Sequence, residues 1–176
     1  YAPDGNIVNA DPTADDGMVS IANLDEDPEA EIIVSSFDTV RALDTDLTVL
    51  WGPITLDGAN IASPTSVDDL DGDGWPEIVV AGGNALYVLN HDGSELWRST
   101  VQDESGSSAA SIFDFEGDGW LEVVYIDEIQ LVAYSGADGS IKFQSQDHSS
   151  STLVEYPVIA DIDADGHAEI VVPDQG

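Results

Sequence analysis

Asp69-Leu-Asp71-Gly-Asp73-Gly-Trp75-Pro-Glu77 sets acidic side chains at positions 1, 3, 5 and 9 of a nine-residue stretch, with Gly at position 6. A β-branched run, Ile78-Val79-Val80, follows at once. The arrangement returns as Asp114-Phe-Glu116-Gly-Asp118-Gly-Trp120-Leu-Glu122 and as Asp161-Ile-Asp163-Ala-Asp165-Gly-His167-Ala-Glu169. A worn copy, Asn23-Leu-Asp25-Glu-Asp27-Pro-Glu29-Ala-Glu31, has Asn at position 1 and Pro28 in place of the Gly. The ninth-position glutamates fall at 31, 77, 122 and 169, so the spacings are 46, 45 and 47 residues. A period of that size means that one structural unit is rebuilt along the chain.

Each acidic stretch leads into an apolar β-branched run: Ile32-Ile33-Val34, Ile78-Val79-Val80, Val123-Val124-Tyr125 and Ile170-Val171-Val172. These runs predict buried strands. A second strand is expected at 39–43, 85–89 and 130–134, then a turn at Asp44-Thr45-Asp46, Asn90-His91-Asp92-Gly93 and Gly136-Ala137-Asp138-Gly139. Asp-Gly supplies the positive φ of a tight hairpin. A third strand ends in an aromatic at 47–51, 94–97 and 140–143, and a fourth short strand precedes each acidic stretch at 18–22, 64–68, 110–113 and 157–160. No helical periodicity is visible.

The expected fold class is therefore all-β: a propeller-type array of about four four-stranded blades, since blades of about 40–50 residues are the repeat that fits. The repeat cores run over about 18–51, 64–97, 110–143 and 157–176 of a single repeat domain covering 1–176. The opening residues Tyr1-Ala-Pro-Asp4-Gly5-Asn6-Ile7-Val8 resemble the turn and third strand that the last repeat lacks, so residues 1–17 are a candidate for completing a terminal blade. Three arrangements remain open at this stage. The ring closes with four blades, the segment belongs to a longer array, or one chain completes the next and builds a fibre.

Four carboxylates within nine residues repel one another at close range: unit charges about 4 Å apart cost roughly 1 kcal/mol even at the dielectric of water. A cation relieves that repulsion. Oxygen donors at positions 1, 3 and 5, a backbone carbonyl at 7 and a further acid form a Ca²⁺ pattern. The carbonyls would come from Glu29, Trp75, Trp120 and His167, where the side chain is free to vary. An EF-hand needs a Glu at position 12. Here position 12 is Val34, Val80, Tyr125 and Val172, and strands flank the loop. Three Ca²⁺ sites are expected, and whether the worn copy holds a fourth stays open at this stage.

The motif Asp-x-Asp-x-Asp-Gly-x-x-Glu followed by Ile/Val-Val-Val, at a period near 46, resembles the FG-GAP/VCBS repeats, the blades also found in integrin α-subunit propellers. The resemblance covers nearly the whole chain. It implies a β-propeller with Ca²⁺ in the blade loops, mostly in extracellular proteins concerned with adhesion, ligand binding or carbohydrate recognition. The metal-site residues it implies are Asp69, Asp71, Asp73 and Glu77; Asp114, Glu116, Asp118 and Glu122; Asp161, Asp163, Asp165 and Glu169; and, in the worn copy, Asn23, Asp25, Asp27 and Glu31. Pro28 and a blade number below seven depart from the integrin pattern.

Composition narrows the function further. There are 36 acids against Arg41, Arg98 and Lys142, for a net charge of −33. No basic patch exists to meet nucleic acid, and an anionic membrane surface is disfavoured. Cysteine is absent, which excludes disulfides and thiolate chemistry. No apolar run reaches 18 residues, and no leader is visible from Tyr1 onward. Such an acidic surface suits a saline or extracellular setting, where millimolar Ca²⁺ fills weak sites.

No catalytic signature is present, and acids held on a metal are poor general acids. His91 in a turn and His148 in a linker read as exposed polar residues, and the Ser-rich stretches 105–111 and 149–152 as polar loops that could carry O-linked sugar. Trp51, Trp97 and Phe143 recur in register, which predicts packing between blades. Trp75 and Trp120 lie in the acidic loops, where they either cover an apolar flank or stack on a sugar or a neighbouring subunit. Two functions follow as expectations: a non-enzymatic, extracellular Ca²⁺-binding module for adhesion or ligand and carbohydrate recognition, or a structural subunit of an extracellular filament assembled head-to-tail. Its partners would be further blades or identical subunits, a protein or carbohydrate ligand, no nucleic acid and no membrane insertion.

Overall fold

A computed structural model describes residues 4, 6–7, 9–10, 16–59, 61–146 and 156–172. Among these the chain is all-β, without a helix, and forms four antiparallel sheets of four, four, four and two strands. The first sheet holds β1 (Met18–Ala22), β2 (Glu31–Ser36), β3 (Thr39–Leu43) and β4 (Val49–Thr55) in chain order. The second holds β5 (Ser66–Asp68), β6 (Glu77–Ala81), β7 (Ala85–Leu89) and β8 (Glu95–Thr100). The third holds β9 (Ser111–Phe113), β10 (Glu122–Ile126), β11 (Leu131–Ser135) and β12 (Ile141–Ser145), and the last pairs β13 (Val158–Ala160) with β14 (Glu169–Val171). These are propeller-type blades, and among the described residues the array does not close.

The second and third strands of the two middle blades are the most buried, because these blades have a neighbouring sheet on both sides. All five residues of β6 and of β10 are buried, which explains why these segments read as continuous apolar runs rather than alternating ones. One core, between the first and second blades, packs Ile33, Val40 and Ala42 against Ile78, Val80 and Tyr87. The next packs Val79, Leu86 and Val88 against Val123, Tyr125, Val132 and Tyr134. A smaller one sets Val124, Ile126, Leu131 and Ala133 beside Ile159, Ile170 and Val172.

Two hydrogen-bond series tie blade to blade. On the first strands, Ser20 Oγ donates to the Thr65 carbonyl at 3.2 Å and Ser66 Oγ to the Ala110 carbonyl at 2.6 Å, while Ser111 Oγ donates to the Pro157 carbonyl. On the fourth strands, Trp51 Nε1 donates to the His91 carbonyl at 2.8 Å and Trp97 Nε1 to the Gly136 carbonyl at 2.5 Å. Each indole thus lands on the hairpin turn of the following blade. That turn must carry Gly: a Cβ on Gly93 would lie 2.8 Å from Trp51 Cδ2, and one on Gly139 would lie 2.7 Å from Trp97 Cδ2.

The opening residues follow the same rule. Asp4 Oδ1 accepts from the Asn6 amide at 3.0 Å. In the same way Asp46, Asp92 and Asp138 accept from Thr48, Ser94 and Ser140 at 2.8, 2.9 and 3.0 Å. Asn9, five residues after Asp4 as Trp51 is after Asp46, donates its Nδ2 to the Asp46 carbonyl at 2.7 Å. No indole covers that first turn, and Leu47 rather than Gly occupies its positive-φ position, at φ 68°. The strand expected over the remaining opening residues lies outside the described residues.

Several local expectations change. The aromatics sit inside the fourth strands rather than at their ends, because β4, β8 and β12 run on to Thr55, Thr100 and Ser145. Trp97 is buried between blades, whereas Phe143 is 52 % exposed. The Ser-rich stretch near 105 is not a solvated loop. Ser105, Ser107 and Ser108 are buried, and Ser105 donates its amide and hydroxyl to Asp103 at 2.9 and 2.6 Å. Sugar attachment at those three hydroxyls is therefore blocked. His148 and the stretch 149–152 lie outside the described residues.

Candidate metal centre

The nine-residue loops join the first and second strands of each blade, and the ninth-position Glu opens the second strand. That places an acid at the mouth of a buried sheet. Glu31 and Glu77 are fully buried and Glu122 nearly so, while Glu169 is half-buried. Each uses Oε2 to accept the backbone N–H of position 2. The donors are Leu70 at 2.7 Å, Phe115 at 3.1 Å, Ile162 at 3.0 Å and, in the worn copy, Leu24.

Position 1 organises the turn. Asp69 accepts from the Gly72 amide at 2.8 Å through Oδ1 and from the Gly74 amide at 3.0 Å through Oδ2. Asp114 does the same with Gly117 and Gly119, at 2.7 and 2.8 Å. Asp161 Oδ2 accepts from Gly166 at 3.0 Å. The amides hold the Asp114 carboxyl below the usual carboxylate range, Gly119 first. The Gly at position 6 adopts φ 94°, 88° and 94° in Gly74, Gly119 and Gly166, a region that favours glycine. At position 5, Asp73, Asp118 and Asp165 use Oδ1 to accept the position-7 amides of Trp75, Trp120 and His167, at 2.8, 2.9 and 2.9 Å.

These braces bring carboxylates together. Oxygens of Asp69, Asp71 and Glu77 lie within 4.8 Å of one another, as do those of Asp114, Glu116 and Glu122, and of Asp161, Asp163 and Glu169. In the worn loop the converging set is Asp25, Asp27 and Glu31. The position-5 acids of the other three loops stand outside these tight groups, as braces of the turn.

Two oxygens in this arrangement have no protein partner. Glu77 Oε1 and Glu31 Oε1 are buried without a hydrogen bond. A buried carboxylate oxygen in that state is costly, and both belong to the converging groups. A hard cation fits the donor set, which is oxygen only and anionic. Without one, charge is disfavoured at the site. Burial pushes the Glu77 carboxyl up to about 7, aided by Asp71 and Asp73 and opposed by the Leu70 amide. Burial also raises Glu122, with Glu116 adding to the effect and the Phe115 amide opposing it.

The aromatics of the loops take distinct places. Trp75 stacks on His91 of its own blade's turn, with ring centroids 4.9 Å apart and planes at 27°. His91 is thus half-buried against an indole rather than a free polar residue, a contact that turn chemistry alone gives no sign of. Trp120 lies over Gly72 of the preceding loop, so that a Cβ there would be 3.5 Å from its ring, yet it remains 53 % exposed.

No helix among the described residues is long and apolar enough to cross a membrane. No curated protein sequence matches the chain. Among solved structures, it is similar to the Vibrio cholerae biofilm matrix protein Bap1, with a TM-score of 0.73 and 16 % identity over 89 % of this chain and 53 % of that one. It is also similar to a Bacillus licheniformis rhamnogalacturonan lyase, with a TM-score of 0.59 and 22 % identity over 90 % of this chain and 40 % of that one. A third is BamB from Moraxella catarrhalis, with a TM-score of 0.53 and 15 % identity over 81 % of this chain and 40 % of that one. The chain spans about half or less of the length of these proteins, and at these identities the likeness is one of fold. A family model described as FG-GAP-like repeat matches residues 69–125 and 114–172. With more than half of its length matched in this way, the chain belongs to the FG-GAP-like repeat family.

Proposed function

We propose that this chain is a Ca²⁺-bound, non-enzymatic repeat module of an extracellular protein, serving adhesion or the recognition of a protein or carbohydrate ligand. The observation that carries the metal reading is the buried, unpartnered Oε1 of Glu77, set among converging carboxylates. Asp69, Asp71 and Glu77 form the core of one site, Asp114, Glu116 and Glu122 of a second, and Asp161, Asp163 and Glu169 of a third. Asp73, Asp118 and Asp165, with the carbonyls of Trp75, Trp120 and His167, complete the shells.

The cation is structural in this reading. It neutralises acids that sit where two strands of a blade diverge, and so fixes the entry of each buried second strand. Four divalent cations would leave a net charge of −25 from −33, still strongly acidic. Recognition would then fall to groups such as the exposed Trp120 ring beside the loops. Aromatic faces of this kind stack on sugar rings or anchor protein partners. The extracellular assignment draws on the family and on the likeness to a biofilm matrix protein.

Thermal melting tests the metal reading. Ca²⁺ bound only by the folded loops stabilises by mass action. The melting temperature should fall sharply in EDTA and recover with added Ca²⁺. An unchanged transition in EDTA would remove the metal from the account.

A cleft of about 460 Å³ favours the second reading, a head-to-tail structural subunit. It is lined by Phe115, Leu131, Ala133, Phe143 and Ile170, and also by the charged Glu116, Glu122 and Lys142. In the preceding blade pair the corresponding apolar residues are covered. Light scattering at high concentration decides: polymers support the filament, and a Ca²⁺-loaded monomer rejects it.

A further inference from the structure

We propose that the cavity between the first and second blades, where β7 begins and β8 ends, binds a neutral sugar residue through a pair of adjacent hydroxyls. This deepens the carbohydrate-recognition reading and rests on it, but puts the site away from the acidic loops and from Trp120.

The cavity measures about 540 Å³ and is bounded by Asp57, Asn84, Tyr87, Arg98 and Thr100. It lies at the end of the blade opposite the acidic loop, since Glu77 opens β6 beside the far end of β7. The backbone around it is tightly packed. The Asn84 amide donates to the Asp57 carbonyl at 3.0 Å and the Val101 amide to the Asn84 carbonyl at 3.1 Å. A Cβ on Gly82 would lie 2.6 Å from the Asp57 carbonyl oxygen, and one on Gly58 would lie 2.7 Å from Asn84 Nδ2. The polar groups are therefore set on fixed backbone before a ligand arrives.

Tyr87 supplies the observation that points to a ligand. It is 5 % exposed, and its Oη accepts the Asp57 amide at 3.0 Å. The hydrogen of that hydroxyl has no acceptor among the described residues, although a buried hydroxyl can both donate and accept. The framework does not require a hydroxyl there. One repeat later the corresponding amide, that of Gln102, is accepted by the Asp127 carboxylate at 3.0 Å. Val132 then pairs with Tyr125 as Tyr87 pairs with Val80, so a valine stands in the place of Tyr87. Arg98, the cross-strand partner of Tyr87, is one of three basic residues against 36 acids. Its Nε stands 3.7 Å from Glu95 Oε1, too far for a hydrogen bond.

The donors and acceptors select the ligand class. Arg98 and Tyr87 offer donors, Asp57 offers acceptors, and Asn84 and Thr100 offer both. Adjacent sugar hydroxyls, each both donor and acceptor, match such a set. Asp57 and Arg98 cancel in charge, and the −33 of the chain repels polyanions. One carboxylate is too few for a hard cation, and a protein anchor calls for an aromatic or apolar pocket. Asn84 also borders a second cavity of about 370 Å³ with Gln102 and Glu104, which gives room for the next residue of a glycan.

Shift-perturbation NMR of the Ca²⁺-loaded chain tests this, with methyl α-D-mannopyranoside, methyl β-D-glucopyranoside and methyl β-D-galactopyranoside as probes. At least one should shift the Arg98 and Asn84 side-chain resonances and saturate. Arg98→Ala should weaken that binding about tenfold or more and Tyr87→Phe about three- to tenfold, as the loss of a charged and of a neutral hydrogen bond implies. Trp120→Ala should leave it unchanged. The amide spectrum reports that each variant folds, and Arg98→Ala, at an exposed position, keeps the test decisive if Tyr87→Phe does not fold. Binding that survives Arg98→Ala but is lost in Trp120→Ala would overturn this site and leave carbohydrate recognition standing. Tighter binding of methyl β-D-glucuronide than of the glucoside would overturn the neutral class. No binding of any of these pyranosides would overturn the site together with carbohydrate recognition, and would leave the Ca²⁺ reading to its own melting test.

Discussion

The indole of Trp97 lies on Gly139 of the following blade, so closely that a Cβ on that glycine would sit 2.7 Å from Cδ2 and 2.8 Å from Cε3. The glycine also holds φ +69°. Gly139→Ala therefore meets both a clash and a strained backbone, and urea unfolding should show a loss of about 2–4 kcal/mol. Gly117→Ala isolates the backbone part. Its φ is +67°, but the space around it is open, so about 1–2 kcal/mol is expected. Equal losses in the two variants would mean that the indole does not lock the blades.

The Glu77 carboxyl gives the metal-free chain a pH dependence of definite sign. Its folded value, about 7, lies above the ordinary 4.5. Between those values the folded state keeps a proton that the unfolded state has released. This contribution to stability is full below pH 4.5 and is lost as the pH rises through about 7. Unfolding of EDTA-treated protein across that range should show it as a difference from Glu77→Gln, which has no such proton to lose. With Ca²⁺ present the cation replaces the proton, so affinity should rise over the same interval.

Asp103 is the polar centre of the second blade junction. It is buried and accepts from the Ser105 amide and hydroxyl, the Gly106 amide at 3.0 Å and Tyr125 Oη at 2.8 Å. Burial raises its carboxyl, but the Ser105, Tyr125 and Ser108 hydroxyls and the Gly106 amide outweigh it and hold the value low. Asp103→Ala strands those donors and should cost about 3 kcal/mol or more. Tyr125→Phe removes one charged hydrogen bond and should cost about 1.5–3 kcal/mol. Urea melts of both variants measure it.

The acidic loops and the β-branched runs behind them were legible because both are local: spacing sets the turn, and an apolar run of strand length implies burial on two faces. The four-strand repeat followed from their period. Trp51 and Trp97 were legible as inter-blade contacts from their recurrence in register, but the rest of what joins blade to blade was not. The Ser20, Ser66 and Ser111 hydroxyls reach carbonyls about one period away, and a serine on a short strand looks like any polar residue. Asp103 and its serines read as a loop for the same reason, since only tertiary closure buries them. In the worn loop, the acids were visible but the reversed closure, in which Asn23 Nδ2 donates to the Asp27 carbonyl, was not. It depends on which way a side-chain amide turns.

The cation itself is tested most directly by diffraction from crystals grown with Ca²⁺ at neutral pH. Anomalous density is expected within about 2.3–2.6 Å of Glu77 Oε1, bounded by the carboxylates of Asp69 and Asp71. A well-ordered loop with no density there, at millimolar Ca²⁺, would contradict the reading of these repeats as metal sites.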